Sequence, residues 1–385
     1  MARFMPKSRD GSIDRPLRWI KPVIPHIISF FLKPKDALIV YGCQMSEIAV
    51  FLRFIVYFVL MKIIKDKFEY IRQSLGLPLF YQANWWDANC GENGWTPAVI
   101  IDHNGEIVAV WPYKLTRKLG INLLLPIPFT PWNGPWLLPL KNEKEGTRAI
   151  RERKIISELS KIICLEADLI IFRWPPHFQN TQVWKEGGFF QSTHFTRQFK
   201  NLDSIQHIRA QFSADVENDL KAAENIFRLS EQDAASANAL LNNQRFFLAE
   251  KNISFTWDLS TFENIQKSIR KSGGIDVLIE AKDELGRVHG RSWTVTDKHT
   301  AWLLIQVSEK KIRHRGTMIW LIWQSMVSLQ GKVSVFDLEG SMIPSVSKKY
   351  EATGASQVPL QMLIGGKYAV WYIIYQYLVK KFKVK

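Results

Sequence analysis

Cysteine is scarce in this sequence: three in 385 residues, Cys43, Cys90 and Cys164, widely separated and odd in number. Such a pattern supports neither a disulfide framework nor a metal knuckle, and it fits a reducing compartment. The eight histidines are scattered, and no His-x-x-x-His or Cys-x-x-Cys pair occurs anywhere. A zinc site would have to be assembled from distant residues, so no metal is expected. No small-residue cleavage site follows an apolar core near the start, which argues against a secretory signal. Acidic residues are outnumbered, 36 against 51 lysines and arginines, for a formal charge of +15. That balance points to an anionic partner, whether nucleic acid, a phosphorylated donor or a membrane surface, although a generally basic soluble surface has the same composition.

What is present is apolar content, 46%, enough for two packed cores of ordinary size. Residues 1–66 read as a basic, proline-rich and then apolar extension. Its apolar run, 48–61, is interrupted by Arg53 and flanked by Glu47 and Lys62. It reads as an interfacial or packed helix, with a membrane span, or a true start at Met61, as alternatives. Residues 67–195 read as a first α+β half. Asn104-Gly105 predicts a type I′ hairpin between two strands. The proline- and tryptophan-rich stretch 123–140 reads as a loop over the sheet, and a helix over 143–164 leads to a strand over 167–173. Residues 196–365 read as a second half. The apolar spacing predicts one long helix over 204–227 and another over 234–251. A meander of three strands over 275–281, 288–296 and 301–307 follows, then a helix over 317–329. Residues 366–385 join an aromatic, apolar segment to Lys380, Lys381, Lys383 and Lys385, a helix with a basic end suited to an anionic membrane surface. A basic end also simply complements the helix dipole.

The most informative stretch runs from Val333 to Leu363. A short strand ends in Asp337 and Glu339, followed at once by Gly340, Ser341 and a helix-starting Pro344. In a strand the two carboxylates would share one face. Phe336, Asp337, Gly340, Ser341, Met342, Pro344, Gly354, Ala355 and Pro359 match the C-terminal signature of the Fem-type branch of the GNAT acyltransferases, FDFxGSMxPxxxxxFxxFGAxxxP. Leu338 and Tyr350 stand at its aromatic positions. Weaker similarity reaches back to about Leu79, so the resemblance covers most of the chain from there to Leu363. It implies a single chain of two tandem GNAT-like domains, each a mixed, mostly antiparallel sheet flanked by helices, with aminoacyl- or acyltransferase activity.

In GNAT enzymes a loop of pattern R/Q-x-x-G-x-G/A holds the donor's pyrophosphate at a helix start, where unpaired N–H groups and the helix dipole favour an anion. Arg313 and Gly316 match its first and fourth positions. His314, Arg315 and Thr317 complete the expected cofactor-binding set, and Met318 departs from the final small residue. A solvated basic turn capping a core helix is the plainer reading. For transfer to an amine, a base must take a proton from an ammonium. Asp337 and Glu339 are the candidates, since two like charges raise one pKa in the needed direction. Ser341 or Tyr350 could protonate the leaving group. A backbone hydrogen bond at the strand end is the alternative role for Asp337. Trp132, Trp136 and Arg291 are the expected substrate-binding residues, against a packed loop core for the two tryptophans.

The resemblance implies acyl-coenzyme A or aminoacyl-tRNA as co-substrate, and an amine on a cell-envelope sugar or peptide precursor as acceptor. In the resembled family the helix at 204–227 is basic. Here it carries Asp215, Glu217, Asp219 and Glu224, which disfavours tRNA and favours acyl-coenzyme A. The expected location is cytoplasmic, with peripheral contact at the inner face of the membrane. The rival reading is a non-catalytic binder of glycan or membrane on the same fold. Oligomeric state is not legible.

Overall fold

In a computed structural model the described residues run from 62 to 383, apart from 66–69, 71–75, 103, 141, 179, 230–233, 251–254, 256, 310, 313 and 341–343. The extension with its apolar run at 48–61 lies outside the described residues. The first half comprises β1 (Lys62–Ile64), α1 (Ala83–Cys90), β2 (Thr96–Ile101), β3 (Ile107–Tyr113), β4 (Leu115–Lys118), β5 (Ile121–Leu124), β6 (Trp136–Leu137), α2 (Glu145–Glu166), β7 (Leu169–Trp174), α3 (Gln182–Glu186) and β8 (Phe190–Lys200). Then come α4 (Ile205–Arg209), α5 (Ala214–Glu224), α6 (Ala234–Ala249), α7 (Leu259–Lys271), β9 (Asp276–Lys282), β10 (Val288–Thr296) and β11 (Thr300–Ser308). The chain closes with α8 (Thr317–Leu329), β12 (Val335–Asp337), α9 (Pro344–Glu351), β13 (Ser356–Gly365) and α10 (Ala369–Lys383).

The fold is α+β and built from a repeat. Each half sets out an antiparallel meander, β1-β2-β3 or β9-β10-β11, and then a helix, a strand, a short helix and a last strand. One sheet has the order β1-β2-β3-β6. The other, of nine strands, runs β4-β5-β7-β13-β8-β12-β11-β10-β9. The last strand of the second half, β13, lies between β7 and β8 of the first half, and β8 in turn pairs with β12. The two halves thus exchange their final strands, and the expected boundary at 195/196 falls inside β8.

Three tryptophan-rich or aliphatic cores follow from this. Phe199, Leu220, Leu321, Met326 and Phe336 pack on one face of the second-half sheet under α5 and α8. On its opposite face, Phe80, Trp85, Trp132, Trp293 and Trp302 join α1, α6 and α7 in an aromatic core. A third core joins α2 to β3 and β7 through Trp111, Ile155, Leu159 and Phe172. Full burial of each large apolar side chain stabilises by about 1.5–3 kcal/mol.

Three local expectations are corrected. The helix expected over 204–227 is split, because Ser213 caps α5 by accepting the Val216 N–H at 3.4 Å while its own N–H donates to the Ala352 carbonyl. The hairpin at Asn104-Gly105 forms, but Gly105 alone takes positive φ (82°), and the Asp102 side chain accepts the Glu106 N–H at 3.0 Å. That is a glycine-bulge turn rather than type I′. Between β3 and the proline-rich loop, an unexpected hairpin β4-β5 turns at Leu119 and Gly120, both with positive φ.

Among the described residues no helix is long and apolar enough to cross a membrane. Helix α10 packs Ala369, Tyr372 and Ile373 against Ile171 and Ile364 and leaves its other side exposed.

Candidate active site

Strand β12 is the pivot. It pairs in parallel with β11 only over Thr300–Trp302, although β11 continues to Ser308. Beyond the Trp302–Asp337 pair the two strands part, and the chain leaves β12 through the turn at 337–340. Asp337 is 1% exposed, and its carboxylate accepts hydrogen bonds from the Thr196 hydroxyl, from Gln198 Nε2 at 2.7 Å and from the Glu339 backbone N–H at 2.8 Å. Glu339 therefore does not continue the strand, as expected from alternation, but sits in the left-handed region with φ 58°. The two carboxylates meet through the turn, not through a shared strand face. Gly340 completes it: a Cβ there would lie 2.1 Å from the Phe195 carbonyl oxygen, so only glycine lets the turn rest on β8.

Strand alternation assembles the surroundings. Arg173 of β7 stands opposite Met362, and Leu360 of β13 stands opposite His194 of β8. Residues two apart share a face, so Arg173, Leu360, His194 and Thr196 lie on the side that bears Asp337. With Trp132 from the proline-rich loop they line an open cleft that includes Glu339.

Burial, and secondarily the charge of Asp337, pushes the Glu339 carboxyl up to about 8, with Arg173 pulling weakly the other way. Burial also raises Asp337, opposed by its hydrogen bonds from Gln198, Thr196 and the Glu339 N–H. Tyr350 on α9 is raised to about 12 by burial and by Glu339. At neutral pH Glu339 is mostly protonated, a carboxyl poised near the working pH of a general base.

Of the expected site residues, Asp337, Glu339 and Trp132 come together in the cleft, and Tyr350 lies within the field of Glu339. Ser341 and Arg313 lie outside the described residues. Trp136 sits away from the cleft on β6, its ring 4.6 Å from His177 and 5.6 Å from Phe178. Arg291 is buried in β10, bonded to Glu280 at 2.7 Å and to Glu309 at 3.3 Å, and does not line the cleft.

At the start of α8, the Gly316 N–H donates to His314 Nδ1 at 3.2 Å and the Thr317 N–H to the His314 carbonyl. Arg315 pairs with Asp219 at 2.8 Å. A Cβ on Gly316 would lie 2.1 Å from the Asp219 carbonyl oxygen, so this glycine admits the close approach of α5. The N–H groups of Gly316 and Thr317 are thus already engaged within the turn. Two further acidic residues of α5 have partners as well: Glu217 and Glu224 clamp Arg209. Sequence reasoning missed Arg173, His194, Thr196 and Gln198. The available signal was a lone charge closing the apolar strand Leu169–Trp174.

No protein-family model matches the chain, and no curated protein matches it. Among solved structures, FemX is similar over 82% of this chain and 99% of its own, at 12% identity and a TM-score of 0.52. A tandem GNAT protein from the clavulanic acid biosynthesis pathway is similar over 79% and 98%, at 11% identity and a TM-score of 0.44. The C-terminal domain of a putative lysylphosphatidylglycerol synthetase from Agrobacterium fabrum is similar over 79% and 92%, at 11% identity and a TM-score of 0.46. At such identity a likeness speaks to fold alone, and of these three FemX is the one that carries it. The chain has the Fem-type fold of two GNAT-like halves.

Proposed function

We propose that the protein is an acyltransferase that acylates an amine in the cleft beside Glu339. The observation that carries this reading is the Glu339 carboxyl itself, raised to about 8 and held at the open end of β12 by Asp337. Ionised Glu339 takes a proton from the acceptor's ammonium. The freed amine attacks the donor's carbonyl carbon, a C–N bond forms, and the bond to the leaving group breaks. Tyr350 holds its proton at neutral pH, hands it to the leaving atom and is reprotonated by the second proton lost from the acylated nitrogen, and Glu339 returns its own proton to water. General-base action of this kind contributes about 10²–10⁴-fold.

The donor favoured is an acyl-coenzyme A over an aminoacyl-tRNA, because α5 carries carboxylates where a helix following a phosphate backbone needs cations. Contact with the donor's phosphates is not assigned to the Gly316 turn, whose leading N–H groups are engaged. The acceptor class is an amine on an envelope sugar or peptide precursor, met at the inner face of an anionic membrane. In support, α10 exposes Val370, Trp371, Ile374, Tyr375, Tyr377 and Leu378, and Lys380, Lys381 and Lys383 follow in the same helix. Its anchors Ile171 and Ile364 share the sheet face of Arg173 and Leu360, so helix and cleft face the same way.

The test is release of free thiol from acetyl-coenzyme A by the full-length protein with a panel of amino sugars and peptides. Turnover that falls at least about 100-fold in Glu339→Gln supports the reading. A folded wild-type protein that binds glycan or lipid but releases no thiol with any amine would instead make it a binding protein.

A further inference from the structure

The first half contributes one charged side chain to the cleft, and among the described residues that side chain has no hydrogen-bond or ion-pair partner. Arg173 is fixed by its backbone: its N–H donates to Asn133 Oδ1 at 3.2 Å, and its carbonyl accepts the N–H groups of Asn133 and Gly134, each at 3.0 Å. The loop that positions it is therefore the one that carries Trp132. Its guanidinium, half-buried in the cleft wall, makes no hydrogen bond or ion pair with any described residue. Other sheltered arginines behave differently. Arg151 pairs with Glu143, Arg209 with Glu217 and Glu224, and Arg291 with Glu280 and Glu309. None of the Arg173 nitrogens is a buried atom without a partner, so its planar fork of five donors opens onto the cleft.

Glu339, the acid whose charge acts on Arg173, is not within ion-pair distance and is mostly protonated at neutral pH, so the cation is uncompensated there. We propose that Arg173 anchors an oxyanion of the substrate, a carboxylate or phosphate gripped by its fork, so that the substrate's amine is presented to Glu339. This rests on the acyl-transfer reading for the role of the amine. The anion site itself does not. A planar fork suits both anions through paired N–H···O bonds. A carboxylate would indicate an amino acid or peptide acceptor, a phosphate a phosphorylated amino sugar.

Occupancy should depend on pH. Glu339 is faced by Asp337 on β12, Arg173 on β7, His194 on β8 and Tyr350 on α9. When Glu339 ionises near pH 8 it supplies a negative charge beside Arg173 and competes with the ligand.

The test is calorimetric titration of the full chain at pH 7 and constant ionic strength, with inorganic phosphate in one arm and N-acetyl-L-alanine in the other. Neither probe can be acylated, so failure of the acyl-transfer reading leaves the result intact. N-acetyl-L-alaninamide serves as the uncharged control. We expect one anionic probe to saturate at a single site, with affinity at least about tenfold weaker in Arg173→Gln, partly restored in Arg173→Lys and unchanged in Lys367→Gln. With N-acetyl-L-alanine, affinity should fall as pH rises through about 8 in the wild type but not in Glu339→Gln. Equal binding by wild type and Arg173→Gln, equal binding of the uncharged control, or no saturation with either anion would overturn the proposal.

Discussion

Asp337 accepts the backbone N–H of Glu339 at 2.8 Å, and this one bond pins a non-glycine residue at φ 58°, a region that costs about 1–2 kcal/mol. The division of labour follows. Asp337, sealed from solvent with three donors around it, positions, while Glu339, at the cleft, exchanges the proton.

Asp337→Asn therefore should not behave like Glu339→Gln. The new amide nitrogen faces the donor Gln198 or the Glu339 N–H, so the turn loosens and stability falls by about 1–3 kcal/mol. Removing the Asp337 charge also lowers the Glu339 pKa. In the pH–rate profile, the rise centred near 8 in the wild type should move to lower pH in Asp337→Asn and vanish in Glu339→Gln.

Stability carries the same signature with a definite sign. The Glu339 pKa is raised in the folded state, so its contribution is fully present below the unfolded value of about 4.5 and is lost as pH climbs through about 8. Glu339→Gln should match the wild type at pH 4 and exceed its thermal midpoint by about 2 °C or more at pH 8.5. A gap that stays constant with pH would mean the carboxyl titrates normally.

Gly316→Ala should report packing, not donor binding. Its methyl group would press on Asp219 of α5, and overpacking of this kind costs about 1–3 kcal/mol. Denaturant titration should register that loss, while acetyl-coenzyme A affinity of the folded variant changes less than about twofold. A selective loss of affinity at full stability would return the donor to this turn.

Arg291→Met leaves buried Glu280 with only the more distant Lys282, at 3.7 Å, a defect of about 3 kcal/mol. Affinity of the surviving folded protein for cleft ligands should be unaltered, because Arg291 does not line that cleft and its guanidinium is held by Glu280 and Glu309. A KM increase with normal stability would contradict this placement.

The paired change Trp371→Ala and Tyr375→Ala removes two ring systems that are 68% and 61% exposed, so the fold should be indifferent to it. Sedimentation with anionic vesicles should drop severalfold, with little change on neutral vesicles. Equal sedimentation of variant and wild type would exclude α10 as the contact.

Much of this was legible in the sequence for identifiable reasons. Helix α8 begins and β10 ends where glycine and a polar turn punctuate strong apolar patterns, and both were read to the residue. The Asp337–Glu339 pair stood out because carboxylates rarely close an apolar strand. The break at Ser213 was hidden because the apolar spacing continues through it, and the bond that holds the break comes from Ala352, far along the chain. Arg173 was hidden because whether an arginine has a partner is decided by the fold, not by its neighbours in sequence. The exchange of β8 and β13 leaves no periodic trace at all.

That exchange sets the order in which the chain can fold during synthesis. β8 has both its neighbours, β12 and β13, in the second half, and β7 awaits β13 on one side. From Lys200 to Gly365 the ribosome needs roughly ten to thirty seconds at about 5–20 residues per second. For that interval the first half waits with open strand edges, a period of exposure in which a chaperone, or a stray strand from another nascent chain, competes with β13 for the same gap.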